Sequence, residues 1–323
     1  MGKRVTDSPA LDERRQLGST GLNVTALCLG GGPLGSMPGA FGYETPRERG
    51  VLTAIAALTG GFGFVDTSAG YNEGESERRI GEAIREIGGL PDDVVLATKV
   101  DPDFETGAFD GAAVRRSLEG SLERLGVDRV DLLHLHDPER IPFEDAMAPG
   151  GAVEELLRIR DEGLAGHLGV AGGPASLMSR YLDTGAFDVL LTHNRFTLAD
   201  RTADAVIKQA HRAGFGVING APFGGGVLAR GTAAVSTYCY GPMTPATEAA
   251  IKAVELICGD EGIPLGAAAI QFSTRDTRIH STVVGASRPE RLADFEAWAT
   301  WPIPDDVWAA ILATAGTDAG LDN

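Results

Sequence analysis

Four polar residues of four chemical kinds fall where apolar runs end. Asp66 closes the run Phe62 to Val65, Tyr71 follows five residues later in a loop, VVLATKV delivers Lys99 and VDLLHLHDP delivers His136. An acid, a phenol, an amine and an imidazole gathered at the carboxyl ends of parallel strands make a proton-handling set, because close titratable groups shift one another's pKa. Taken singly, each has an ordinary role: Asp66 as a turn cap, Lys99 as a solvated strand-end charge, Tyr71 as a loop aromatic, His136 as a loop cap. Taken together they point to catalysis. Lys99 shares a strand face with Val95 and Ala97, where burial demands a partner, and Asp66 is the natural one.

The elements that must position these residues alternate along the chain. Strand-like runs are read at Val24–Leu29, Phe62–Asp66, Val94–Val100, Val130–His136, His167–Ala171, Phe187–Thr192, Gly216–Ala221 and Ser281–Ala286. Helical periodicity fills the intervals, as in Asp110–Leu125, where Val114, Leu118, Leu122 and Leu125 recur at helical spacing. Eight βα units with near-continuous apolar strands predict a parallel sheet covered by helices and closed as a (β/α)8 TIM barrel. Parity tests this: Phe64 and Asp66 share a face, as do Val95, Ala97 and Lys99, and Leu132, His134 and His136. If those faces point inward, the polar residues meet at the barrel's mouth. One domain over residues 1–323 is expected, with residues 1–17 and 309–323 peripheral.

Composition limits the partners. With 43% hydrophobic residues the chain can bury a large core, and no apolar run approaches the roughly 20 residues of a membrane span. The 28 basic and 45 acidic residues give a net charge of −17, which argues against nucleic acid and anionic membranes. An anionic cofactor then needs a local basic pocket or a set of backbone N–H groups. Cys28, Cys239 and Cys258 are odd in number and scattered, which fits neither a disulfide scaffold nor a metal site. MGKRVTDSPALDERRQ lacks the apolar core of a secretory signal, so a cytoplasmic location is expected.

Three segments are candidates for phosphate. Gly30, Gly32 and Gly35 match G-x-G-x-x-G, but Pro33 and Pro38 stand where a dinucleotide fold needs a helix start, so the stretch reads as a strand-end loop admitting close approach of backbone. Pro222, Phe223, Gly224, Gly226 and Leu228 lie in a second glycine cluster able to present N–H groups to a pyrophosphate. In Val283–Leu292 a strand runs into a helix whose first turn carries Arg288 and Arg291, an anion site by construction. His193 and Asn194 end a strand and have a structural or a ligand role open to them. His134, one inward position deeper than His136, reads as a buried, hydrogen-bonded histidine.

The order and spacing of Asp66, Tyr71, Lys99 and His136 resemble the tetrad of the aldo-keto reductases, and the likeness runs from Gly18 to Trp308. LLHLHDPE, LTHNRFTL and APFGGGVLARG resemble the subgroup of L-fucose and D-threo-aldose 1-dehydrogenases and pyridoxal dehydrogenase. The resemblance implies an NAD(P)-dependent oxidoreductase passing a hydride to or from a carbonyl carbon, with a sugar or similar small carbonyl as partner. It makes Tyr71 the proton donor and acceptor, Lys99 the group that lowers its pKa from about 10, Asp66 the partner of Lys99, and His136 the guide for the substrate oxygen.

Cofactor contacts are expected at Gly32, at Pro222, Phe223, Gly224, Gly226 and Leu228, at Gly285, Ser287, Arg288, Arg291 and Asp294, and, by position only, at Asn194 and Asn219. The family's Ser-Asn pair for the carboxamide corresponds to Ala171 and Gly172, its stacking aromatic to Gly220, its phosphate-binding lysine to Gly285 and its adenine-side asparagine to Phe295. Two arginines point to NADP, with NAD the alternative. Other readings of the set are reduction of a non-sugar aldehyde or ketone, a cofactor-binding regulatory subunit, and a Schiff-base aldolase acting through Lys99.

Overall fold

In the computed structural model, which describes residues 14–239 and 241–321, eight parallel strands close into a barrel, each paired with the next and the last with the first. In chain order they are β1 (Leu27–Gly30), β2 (Phe64–Asp66), β3 (Val95–Val100), β4 (Val130–His136), β5 (Ala165–Gly172), β6 (Val189–His193), β7 (Gly216–Gly220) and β8 (Ser281–Gly285). The expected (β/α)8 architecture is the one observed. Inward positions such as Cys28, Phe64, Ala97, Leu132, Leu191 and Ile218 fill the interior, while Leu29, Val65, Leu96, Leu133, Val170 and Leu190 belong to the larger core under the helices. Strands buried on both faces have no polar side to show, which is why they read as unbroken apolar runs.

Among the described residues, ten helices of eight residues or more cover the barrel: α1 (Arg47–Leu58), α2 (Glu75–Glu86), α3 (Gly111–Leu125), α4 (Ala152–Asp161), α5 (Ala175–Leu182), α6 (Asp204–Arg212), α7 (Pro245–Asp260), α8 (Leu265–Thr274), α9 (Glu290–Ala299) and α10 (Asp305–Thr314). In α3 the Asp110 carboxylate caps the start by accepting the Ala113 amide at 2.9 Å, and Gly126 ends the helix at φ 71°. Val114, Leu118 and Leu125 bury its inner stripe. Loss of such a cap costs about 1 kcal/mol. Helix α2 follows the loop that carries Tyr71. Its buried Arg79 donates to the carbonyls of Leu34 and Thr45, tying down the glycine-rich loop after β1.

Two expectations are corrected. The run Val24–Leu29 is not one strand: Asn23–Thr25 pairs antiparallel with Arg14–Gln16, and the chain enters the barrel only at Leu27. This hairpin brings fully buried Leu17 and Val24 into the interior cluster at the barrel's amino end, so Leu17 is part of the core rather than peripheral, while Arg14 and Gln16 stay exposed. The rest of the 1–17 segment lies outside the described residues. Residues 309–321 are not peripheral either: α10 buries Val307 and Ile311, Gly316 N–H donates to Leu198 O at 2.8 Å, and Ala319 N–H donates to Asp200 Oδ2 at 2.8 Å. Among the described residues no helix is long and apolar enough to cross a membrane.

Candidate active site

Strand register brings the tetrad together. Asp66 pairs with Ala97, Lys99 with His134 and His136 with Ala171, so the inward ends of β2, β3 and β4 converge at the carboxyl rim. Lys99 Nζ donates to Asp66 Oδ1 at 2.5 Å, to Thr67 O at 2.7 Å and to the Tyr71 hydroxyl at 3.0 Å. Three acceptors satisfy an ammonium. Burial opposes that charge, yet Asp66 and Tyr71 hold the Lys99 pKa above its ordinary value. Burial pushes the Asp66 carboxyl up against the pull of Lys99. The donor geometry favours the ion pair, since a neutral amine would leave the Asp66 carboxylate as an uncompensated buried charge. A lysine held charged and 1% exposed is a poor nucleophile, which speaks against an aldolase.

The His136 ring stands edge-on to Tyr71, with centroids 5.8 Å apart. Its Nδ1 lies 2.7 Å from Asp101 Oδ1 and 3.0 Å from Ser68 Oγ, while Nε2 is 3.7 Å from Asp137 Oδ1. Asp137 is itself unusual: a non-glycine residue at φ 41°, with its carboxylate 3.5 Å from His193 Nε2 and 3.0 Å from Arg140. Burial would raise its pKa, but His136, His193 and Arg140 hold it well below the ordinary carboxylate value. Asp101, Ser68 and Asp137 were not assigned site roles from the sequence. Parity had a signal for Asp101, which is the next inward place after Lys99.

His134 is buried as expected but not hydrogen-bonded, for neither ring nitrogen has a partner. Burial first, then Lys99 and His136, hold its pKa well below the ordinary value, so the ring is neutral. It occupies the space over Gly169, where a Cβ would fall 2.2 Å from Nδ1.

The residues expected to touch cofactor divide. Gly32 is buried beside Tyr71, and a Cβ there would stand 4.0 Å from the phenol ring. Asn194, at φ 64°, donates through Nδ2 to His193 Nδ1 at 3.1 Å and accepts the Tyr238 hydroxyl at its carbonyl. Asn219 is corrected: Ile218 is in the interior cluster, so Asn219 faces the helices, and its Nδ2 donates to Phe196 O and Ser273 Oγ, each at 2.9 Å. Leu228 is corrected too, because its side chain is fully buried and its amide donates to Phe223 O. Pro222 to Gly226 form a tight turn in which the Gly224 and Gly226 amides are spent on Ala221 O and Phe223 O. Phe223 stacks on Phe295 at 5.4 Å. Arg288 is exposed together with Gly285, and Ser287 is half-buried between them. Arg291 lies over the Trp298 ring at 4.4 Å and pairs with Asp294 at 3.1 Å.

A dinucleotide needs room, and one side of the mouth has it. The inward ends of β1, β5, β7 and β8 are Gly30, Ala171, Gly220 and Gly285, which send no large side chain over the opening. A Cβ at Gly285 would meet the Pro33 ring at 2.8 Å, so glycine suits this strand end. Bare strand ends beside an arginine-bearing helix start fit a phosphate-containing cofactor. A polar groove lined by Ser36, Glu44, Asn72, Glu73 and Arg78 flanks the rim, and no tetrad residue lines it.

The fold is thus a closed (β/α)8 barrel with four mutually contacting titratable residues at its carboxyl rim, and among the described residues no group of side chains is placed to hold a metal ion. Residues 26–315 match the aldo/keto reductase family, and the chain belongs to that family of NAD(P)-dependent oxidoreductases. It is 31% identical to an L-galactose dehydrogenase from Arabidopsis thaliana, over 85% of this chain and 84% of that one. It is 29% identical to a D-threo-aldose 1-dehydrogenase from a Pseudomonas species (91% and 94%) and 27% identical to a pyridoxal 4-dehydrogenase from Microbacterium luteolum (93% and 96%). In fold it is similar to an aldo-keto reductase from Bacillus halodurans in its holo form, with a TM-score of 0.77, 21% identity and coverage of 95% and 97%.

Proposed function

We propose that the protein interconverts an aldose, or a closely related small aldehyde, with its oxidised or reduced partner at the carbonyl carbon. The observation that carries this reading is the 3.0 Å contact from the Lys99 ammonium to the Tyr71 hydroxyl. Tyr71 gives its proton to the substrate oxygen in reduction and takes it back in oxidation, and Lys99 stabilises the tyrosinate between the two. Asp66 keeps Lys99 charged. His136 directs the substrate oxygen toward the phenol. When bound, the nicotinamide supplies the hydride in one direction and accepts it in the other. Gly32, Asn194, Pro222, Phe223, Gly224, Gly226, Gly285, Ser287, Arg288, Arg291 and Asp294 are the residues proposed to hold it, and the two arginines favour NADP over NAD. A polyhydroxylated substrate suits the rim, where Asp137, His193 and Arg140 offer acceptors and donors beside His136.

The test is a panel of aldoses and aldehydes with each nicotinamide cofactor, followed at the absorbance of the reduced form. Tyr71→Phe is expected to lower turnover by about 10²–10⁴-fold while cofactor affinity, read by fluorescence titration, is retained. Unchanged turnover in that variant removes Tyr71 from the chemistry.

A further inference from the structure

His136 is gripped from the side away from Tyr71. Asp101 is 1% exposed, and its Oδ1 faces Nδ1 at 2.7 Å. Its Oδ2 accepts the Ser68 hydroxyl and the Gly70 amide, the latter at 2.6 Å. Although burial works the other way, His136 and these donors keep the Asp101 carboxyl below its ordinary pKa, so it is a carboxylate. A carboxylate only accepts hydrogen bonds, and the Ser68 proton is already committed to it. The imidazole nitrogen facing them therefore carries a hydrogen in either charge state of the ring. Nε2 alone differs between the two states, and its nearest charged neighbour, Asp137 at 3.7 Å, is beyond hydrogen-bond range.

We infer that Asp101 is a positioning residue that locks the His136 proton on Nδ1, so that Nε2 meets the substrate oxygen as an acceptor when the ring is neutral and as a donor only when it is cationic. The inference rests on the proposed place of His136 at the substrate oxygen, and it makes the imidazolium the form that assists in both directions. A carbonyl oxygen can only accept, so the imidazolium is the form that holds it. In oxidation the single hydroxyl hydrogen of the alcohol goes to the tyrosinate, so its oxygen likewise accepts from the imidazolium. In reduction the carbonyl carbon gains the hydride, its oxygen gains the Tyr71 proton and the nicotinamide is oxidised. Oxidation returns the hydride to the nicotinamide and the proton to the tyrosinate. His136 keeps its own proton count in each.

The groups facing the ring are Ser68, Asp66 and Tyr71 from β2 and its loop, and Lys99 and Asp101 from β3. His134 and Asp137 flank it on its own strand, Arg140 stands in the turn beyond, and His193 comes from β6. Burial opposes charging, but Asp101 and Asp137 outweigh it together with Lys99, and the His136 pKa lies above the ordinary 6.5. The donating form thus persists to higher pH than an isolated imidazole would allow.

The experiment is nitrogen NMR of ¹⁵N-histidine-labelled protein across pH, with the His136 signals identified by their loss in His136→Gln. The expected result is a neutral ring with pyrrole-type Nδ1 and pyridine-type Nε2, titrating above 6.5. In Asp101→Asn the midpoint should fall by about one to three pH units, and the pH limits of kcat/KM for reduction and oxidation should fall with it. Ser68→Ala, which leaves the carboxylate in place, should keep the midpoint above 6.5. A neutral wild-type ring protonated on Nε2, or an unmoved midpoint in folded Asp101→Asn, overturns the inference. The wild-type tautomer is read without any variant, so a misfolded Asp101→Asn does not spare it. A Tyr71→Phe enzyme with full turnover would sink the proposed function and leave the tautomer result standing, which keeps the two failures apart.

Discussion

At the ends of β2, β3 and β4 the inward positions are Asp66, Lys99 and His136, with Asp101 just beyond, whereas at the ends of β5, β7, β8 and β1 they are Ala171, Gly220, Gly285 and Gly30. The first half of the rim is filled with groups that satisfy one another, and the second, His193 at the end of β6 apart, is bare. Proton handling needs charges packed closely enough to fix each other's state, while a large ligand needs side chains out of its way. The two halves should therefore fail in opposite ways: the first when an atom is removed, the second when one is added.

The largest effect is expected from a deletion in the filled half. Lys99→Met strands the Asp66 carboxylate, 2% exposed, without its cation, and should cost about 3–5 kcal/mol in urea unfolding at neutral pH. An unmoved midpoint would erase the distinction between the halves. Next comes an addition to the bare half. Gly220→Leu places a side chain where a Cβ already meets His193 Cβ at 3.3 Å, and should weaken binding of the proposed nicotinamide cofactor about tenfold or more (about 1.4 kcal/mol per decade) with the fold retained. Equal affinity would show that the cofactor lies elsewhere.

A smaller effect concerns pH. Asp101 and Asp137 have folded pKa values below the ordinary 3.8, so their stability contribution is present above that value and is lost as pH falls through the folded ones. His136, raised from 6.5, acts in the opposite sense: its contribution is present below 6.5 and fades as pH rises through the folded value. Stability from this cluster should be greatest between the two limits, and Asp137→Asn should flatten the acid side of the urea midpoint against pH. An acid limb of unchanged slope would count against the cluster. The smallest change is expected from Asp294→Ala, whose partly exposed pair with Arg291 is worth about 0.5 kcal/mol or less. If Arg291 serves a phosphate, the variant should bind NADP at least as tightly as wild type while NAD affinity stays level. A loss confined to NADP would count against that role.

The filled half is the legible one. A period-two alternation along three apolar runs suffices to bring Asp66, Lys99 and His136 to one level, because each strand is short and buried on both faces. One further step of the same alternation reaches Asp101, but that residue lies beyond the apolar run, where strand parity no longer has an apolar neighbour to support it. Parity also decides against Asn219, since Ile218 faces inward and a single-residue offset sends its neighbour to the other face. The bare half is harder to read, because it is defined by missing side chains and by loops whose amides close turns on themselves, as at Gly224 and Gly226. The break between Thr25 and Leu27 escapes for a related reason: the run stays apolar while the chain passes from a hairpin into the barrel. The Val307 and Ile311 pair, four residues apart after Pro304, was a visible sign of α10.

His134 and Gly169 share a single volume, since the imidazole sits where any Cβ at 169 would have to go. The two positions are thus one slot filled from one wall. A methyl group introduced at 169 would drive the ring upward against the Lys99 ammonium, while a smaller residue at 134 would free that room. Tolerance at either place is set by the occupant of the other, and the lineage of such a barrel can change them only as a couple.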